Sequence, residues 1–386
     1  MNEYFQGAVT QLVERGRHLL SVIPRGMPRE FHLLEQTTRR RIGEEIEKLA
    51  ALISTPLMQS ARTQPERLRR FRRVVRELDF LETVCISALQ RSKNHDVDLN
   101  KLIERVRMEI RYPLLPPVIS PLSQMYFHIY PEYNLLRVPL VEGSFLLHLP
   151  DLYHELAHPL IVEKHDPSVA RFHKHLLRAL DQVFTYFADE QTKEGRRQGR
   201  SPELYVFYLD QWQKAWFGGW AIEFFCDSFA VLTLGPAFGW SHLHLHSTRG
   251  QDAYSVPTIG GFTDHPPDAA RMTVILCCLR RTGFLDEANE IERRWNELLG
   301  ISGAKLEPEY LRCFPKFLLE ELVKEAFAAV DALGCRIATP DCQDAVHLTL
   351  NQAWIEFWRD PQEYANWERT ASAQLRTQAT GATVTH

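Results

Sequence analysis

Asp151-Leu152-Tyr153-His154-Glu155-Leu156-Ala157-His158 is the stretch on which the reading of this chain turns. A helix places residues four apart on one face, so His154 and His158 stand side by side. Leu156 and Ala157 suit burial of that helix, and Asp151 is expected to cap its start. Pro159 follows directly and removes one helical hydrogen bond, so a kink or an end is expected just after His158. Upstream, Pro113, Pro116, Pro117 and Pro121 exclude a helix and mark a boundary. Two strand-like runs follow, Met125–Tyr130 and Leu135–Val138, with Pro131-Glu132-Tyr133-Asn134 as the turn of a hairpin. A third apolar run, Phe145–Leu149, leads into the helix.

Two imidazoles at this spacing can reach one metal ion, and Glu155, one residue on, can touch a water held there. A zinc ion that activates water needs a third protein donor. Downstream, Trp220-Ala221-Ile222-Glu223-Phe224-Phe225-Cys226-Asp227 puts two acids, four apart, into an apolar helix. A buried carboxylate is expensive unless it is paired or metal-bound. Glu223 is the expected third ligand and Asp227 the group that holds a ligand imidazole by its free ring nitrogen. The reverse assignment, with Asp227 as ligand, stays open, as does a structural ion pair to an arginine.

HExxH followed by ExxxD resembles the glutamate-zincin pattern, with 64 residues between His158 and Glu223. His265-Pro266-Pro267-Asp268-Ala269-Ala270-Arg271 looks like the HPxxxxR element that follows the glutamate helix in the CAAX prenyl endopeptidase and heat-shock membrane protease group. The resemblance covers only about 150–275. It implies a zincin core with an active-site helix, a glutamate helix and an edge strand, one Zn2+, and peptide-bond hydrolysis with Glu155 as general base. By the same analogy, His265 and Arg271 lie near the substrate and stabilise the oxyanion. The bottom-up alternative is a loop histidine and an arginine paired with an acid. Those proteases carry membrane spans. Here the longest apolar run, Phe224–Trp240, is broken by Asp227 and Gly235-Pro236, so no membrane insertion is expected.

The rest of the chain sets the frame. It has 386 residues, 45% hydrophobic and 24% charged, ordinary for a globular protein, with a net charge of −4. Residues 1–112 hold 21 Lys+Arg against 15 Asp+Glu, and the remainder 24 against 34. Seven cysteines without a CxxC pair, and no apolar signal core at the N-terminus, point to reduced thiols and a cytoplasmic location. Helices are expected over 8–110, about 168–192, 203–217 and 219–234, and from Pro267 to about 370. Loops are expected at 194–202 and 247–267. His242, His244 and His246 alternate with leucines and are read as helix end and loop. Arg67, Arg69, Arg70, Arg72, Arg73 and Arg76 form a basic helix face, read as solvated or docked rather than as a nucleic-acid site. No phosphate-binding glycine loop and no GxSxG nucleophile motif is present.

The expectation is therefore a mainly α (α+β) fold. A helical region, 1–112, precedes a zincin-like core, 113–300, with a small β-hairpin or sheet. A helical region, 301–370, and a flexible tail, 371–386, follow. The expected function is a soluble zinc metallopeptidase acting on a peptide or protein substrate, with Leu135–Val138 as an edge for that substrate. Two other classes compete with it: an inactive zinc-bound scaffold, and a nucleic-acid-binding module using the basic helix.

Overall fold

The computed structural model describes residues 2–54, 64–91, 96–121, 126–139, 145–196, 202–249, 252–256 and 265–381. The break expected at Asn94-His95, the strand start at Met125, the Gly260-Gly261 pair and about half of the expected 247–267 loop lie outside the described residues. The fold is mainly α with one small mixed sheet. The chain divides into two compact units, 1–101 with 117–140, and 102–116 with 141–386.

The first unit is built on α1 (Asn2–Val22), α2 (His32–Ser54) and α3 (Gln64–Phe80). The last runs through a π-type turn, Leu81–Ile86, into α4 (Ser87–Arg91). Val9, Leu19, Leu34, Ile42, Leu49, Val74, Leu78 and Leu81 point into one core, which Val118, Tyr133 and Leu135 complete. Arg67 is itself buried, so the basic face of α3 is narrower than the sequence suggests, and Arg69 and Arg70 pair with Glu66.

The sheet belongs to this unit rather than to the unit that holds the His154–His158 helix. It has three strands, β1 (Val118–Pro121), β2 (His128–Tyr130) and β3 (Leu135–Val138), in the order β1-β3-β2. The expected hairpin is present, with Ile129 opposite Leu136 and Asn134 in the left-handed region at φ 48°. β1 forms inside the proline-rich stretch and pairs parallel to β3, Val118 opposite Leu135. Asn100 fixes it by exchanging two hydrogen bonds with the Ile119 backbone, at 2.8 and 3.0 Å. β3 is thus the central strand, both its edges are taken, and it is no substrate-pairing edge.

The division falls within α5 (Asp96–Ile110): residues 96–101 count with the first unit and 102–110 with the second. The second unit holds α6 (Asp151–Val162), α7 (Ala170–Gly195), α8 (Pro202–Ala215), α9 (Ala221–Leu234), α10 (Pro236–Arg249), α11 (Asp268–Arg281), α12 (Leu285–Ser302), α13 (Pro308–Cys313), α14 (Lys316–Ala332), α15 (Ala345–Arg359) and α16 (Tyr364–Gly381). α9 is its axis: α6, α7, α10, α11 and α14 all pack on it. Phe224, Phe225, Phe229, Val231 and Leu232 are at most 1% exposed, and each such side chain contributes roughly 1.5–3 kcal/mol of burial. Tyr112 donates to the Leu156 carbonyl at 2.8 Å, and Glu109 accepts from the Val346 amide at 3.1 Å.

The apolar run Phe145–Leu149 forms turns that lead into α6. α8 and α9 join through a π-type segment, Trp216–Trp220, kinked at Gly219. The resulting stretch Tyr205–Leu234 is long and apolar enough to cross a membrane, but 78% of its most apolar window is buried inside the fold. The expected tail is helix through Gly381, because Ala371 and Leu375 supply a buried edge for α16. All seven cysteines are free, five of them buried.

Candidate metal centre

α6 carries the histidine pair and lies against α9, which carries the two acids. α6 is buried on nearly every side, so its polar side chains must find partners inside the protein. It begins at Asp151, with Pro150 rather than Asp151 at the cap position and no side-chain cap bond. Asp151 instead accepts from Ser241 of α10 at 3.2 Å, and its charge still favours the helix start. Pro159 does not stop the helix. It continues to Val162, and the Glu163 amide closes it on the Pro159 carbonyl at 2.9 Å. The ring of His173 bonds the Leu160 carbonyl at 2.7 Å, satisfying the helix end.

His154 is 6% exposed and lies between both acids of α9. Its Nε2 is 3.3 Å from Glu223 Oε2 and its Nδ1 is 2.9 Å from Asp227 Oδ1. His158 is more open, with Nε2 at 3.9 Å from Glu223 Oε1. His265, largely exposed, brings its Nε2 to 3.4 Å from Glu223 Oε2. Glu223 Oε2 is buried, yet no hydrogen bond reaches it.

Arg271 sits behind this group. It is buried on α11 and gives Asp227 two hydrogen bonds, from Nε at 2.8 Å and from a terminal nitrogen at 2.6 Å. The guanidinium therefore faces Asp227, and not a substrate oxyanion as the resemblance implied. It is the arginine paired with an acid. Glu155 is buried on the same helix as the histidines.

The electrostatics follow from the packing. Burial alone would raise the Asp227 carboxyl, but Arg271, and after it His154, hold it far below the usual carboxylate range. Burial also opposes charge on His154, but Asp227 and Glu223 outweigh it and raise the imidazole to about 10. Glu223, which burial would raise, is drawn down to about 2, chiefly by His154. Burial and the neighbouring His154 charge push His158 down to about 4. A proton on His154 thus occupies a place between two carboxylates, where a bound cation could replace it.

One member of the cluster is absent from the sequence-based set. Ligand atoms of His154, His158 and Cys226 all lie within 4.8 Å of one another, so this buried group can hold a metal ion. Cys226 is three residues after Glu223 and so shares its helix face. That spacing was the available signal, but cysteines read only as reduced core thiols conceal it. Burial and the charges of Glu223, Asp227 and Glu155 push its thiol well above the ordinary value.

The other histidines separate from this centre. His242 and His246 share one face of α10. His246 Nδ1 is 2.7 Å from Asp268 Oδ2, and His242 Nε2 is 3.1 Å from the Asp268 carbonyl. His244 turns to the opposite side, against the rings of His148 and Trp354. Tyr254 stacks edge-on against Tyr310. No protein-family description, no characterised protein and no solved structure matches this chain.

Proposed function

We propose that His154, His158 and Glu223 hold one zinc ion and that the chain is a cytoplasmic zinc metallopeptidase, related in its motifs to the glutamate zincins, acting on a peptide or protein substrate. The observation that carries this is the buried Glu223 carboxylate facing both histidines of α6, with Oε2 3.3 Å from His154 Nε2 and Oε1 3.9 Å from His158 Nε2. Two nitrogen or oxygen donors on a tetrahedral zinc stand about 3.4 Å apart, as follows from bond lengths of about 2.0–2.2 Å. The spacing is that of ligand atoms facing a common centre, and imidazole with carboxylate is a donor set that suits zinc.

Bound zinc would polarise the substrate carbonyl and make a water molecule acidic. Glu155 takes the proton of the attacking water and returns it to the leaving amine. Asp227 orients His154 through Nδ1, and Arg271 keeps Asp227 ionised, so both are positioning residues. His265, exposed beside Glu223, can donate to the developing oxyanion. Nucleic acid does not enter this reading, and no membrane insertion is needed, since the one long apolar stretch among the described residues is mostly buried in the fold.

Elemental analysis of purified wild type, His154→Ala and Glu223→Ala tests the ligand set. About one zinc per chain is expected in wild type, as for a three-ligand site with water, with loss in both variants. No zinc after zinc has been offered, or zinc retained without Glu223, overturns the ligand assignment. Glu155→Gln should keep the metal and lose peptide hydrolysis. Unchanged hydrolysis in that variant removes Glu155 from its role.

A further inference from the structure

We infer that Cys226 is a fourth protein donor to the same ion, so that the resting centre is closed by a thiolate and leaves no position for water. This rests on the metal centre proposed above and specifies how that centre is regulated. α9 carries Glu223, Cys226 and Asp227 at i, i+3 and i+4, one face of one helix, laid against the histidines of α6. The ligand atoms of His154, His158 and Cys226 lie within 4.8 Å of one another, and Glu223, beside that group, has its Oε2 3.3 Å from His154 Nε2.

Donors on a tetrahedral zinc, with bonds of about 2.0–2.3 Å, stand roughly 3.3–3.8 Å apart. The ligand atoms of His154, His158 and Cys226, within 4.8 Å of one another, need to draw in by at most about 1.5 Å to reach that spacing. Two imidazoles, a carboxylate and a thiolate fill four coordination positions. Structural zinc sites are closed in this way, whereas hydrolytic ones keep a position open. Cys226 is thus one donor more than hydrolysis uses.

Its engagement is a simple exchange: the S–H bond breaks, a sulfur–metal bond forms, and the proton leaves to solvent with no change of oxidation state. Cys226 has no exposed surface, so the release that opens the centre comes from inside the protein, by rotation of one side chain on α9. The substrate-free enzyme is latent, and a substrate or partner that shifts α9 against α6 switches it on.

Cobalt(II) loaded onto the full chain reports the sulfur directly. The expected wild-type spectrum has a near-ultraviolet thiolate-to-cobalt band and the strong visible absorption of a four-coordinate ion. Cys226→Ser should still bind one cobalt and lose the near-ultraviolet band. Cys277→Ser should keep it. Zinc-edge X-ray absorption of wild type, which needs no variant to fold, should show one sulfur neighbour. Metal bound by wild type without sulfur overturns this inference and leaves the metal centre standing. No metal bound at all sinks the centre itself.

Discussion

Asp227 has no exposed surface and holds its charge only because Arg271 and His154 face it. A buried ion left without its partner is strongly destabilising, so Arg271→Met should cost about 3–5 kcal/mol in urea unfolding of the metal-free protein. Adding Asp227→Asn should recover part of that loss, since the orphaned charge is then gone. A loss below about 1 kcal/mol, the range of surface pairs, would show that the pair does not hold α9 to α11. Much of the site was legible at this scale. Glu223 and Asp227 were marked by being acids in an apolar helix, and both lie beside His154. The role of Arg271 was not, because a side chain 44 residues away can face an acid or a substrate with the same local sequence. Cys226 was hidden by its apolar company: a thiol in a core needs no special explanation.

The helices were readable because their apolar spacing extends over several turns, as in α3 and α7, and proline and glycine mark the ends. Strand order was not. Period-two alternation says that Leu135–Val138 is a strand, but not that the proline-rich segment before it will pair on its other side. Pro121 is tolerated there because it ends the strand. The α9–α10 junction shows punctuation with a mechanism. Gly235 sits at φ 87° and ψ −146°, a region that residues with a Cβ avoid, and Pro236 opens the next helix. A Cβ added at Gly235 would meet the Phe284 ring at 3.1 Å. Gly235→Ala should therefore lose about 1–3 kcal/mol, seen as a lower melting temperature. An unchanged melting temperature would mean that α10 can re-enter from another backbone angle.

At the scale of the molecule, buried imidazoles set the acid limit. Burial, with the charge of His244, pushes His148 down to about 4, and burial also lowers His242, His244 and His347 from their ordinary 6.5. These groups fold neutral, so below 6.5 the unfolded chain binds more protons than the folded one. Their stabilisation is complete above that value and falls as pH drops toward 4. Glu223 and Asp268, both lowered to about 2, extend the loss below pH 4.5. Glu368, raised by burial, and His154, raised to about 10 by Asp227 and Glu223, work the other way, but they are two groups against several. The urea midpoint should be lower at pH 5 than at pH 7.5. An equal or higher midpoint at pH 5 would contradict this account. The fold class was legible from composition and periodicity, whereas the unit boundaries were not. The proline-rich stretch looks like a border, yet 117–140 belongs with the N-terminal helices through the shared core of Val118, Tyr133 and Leu135.

That interleaving has a consequence for how the protein is born. As the chain leaves the ribosome from its N-terminus, residues 1–101 emerge without β1–β3, and the core they form stays open on the side that Val118, Tyr133 and Leu135 seal. The first unit completes only after residue 140 has cleared the exit tunnel. By then the segment 102–116 of the second unit is already out and waiting for partners such as Leu156 and Val346, still to be synthesised. Nascent chains stalled between these points present unfinished apolar faces, the kind that molecular chaperones bind.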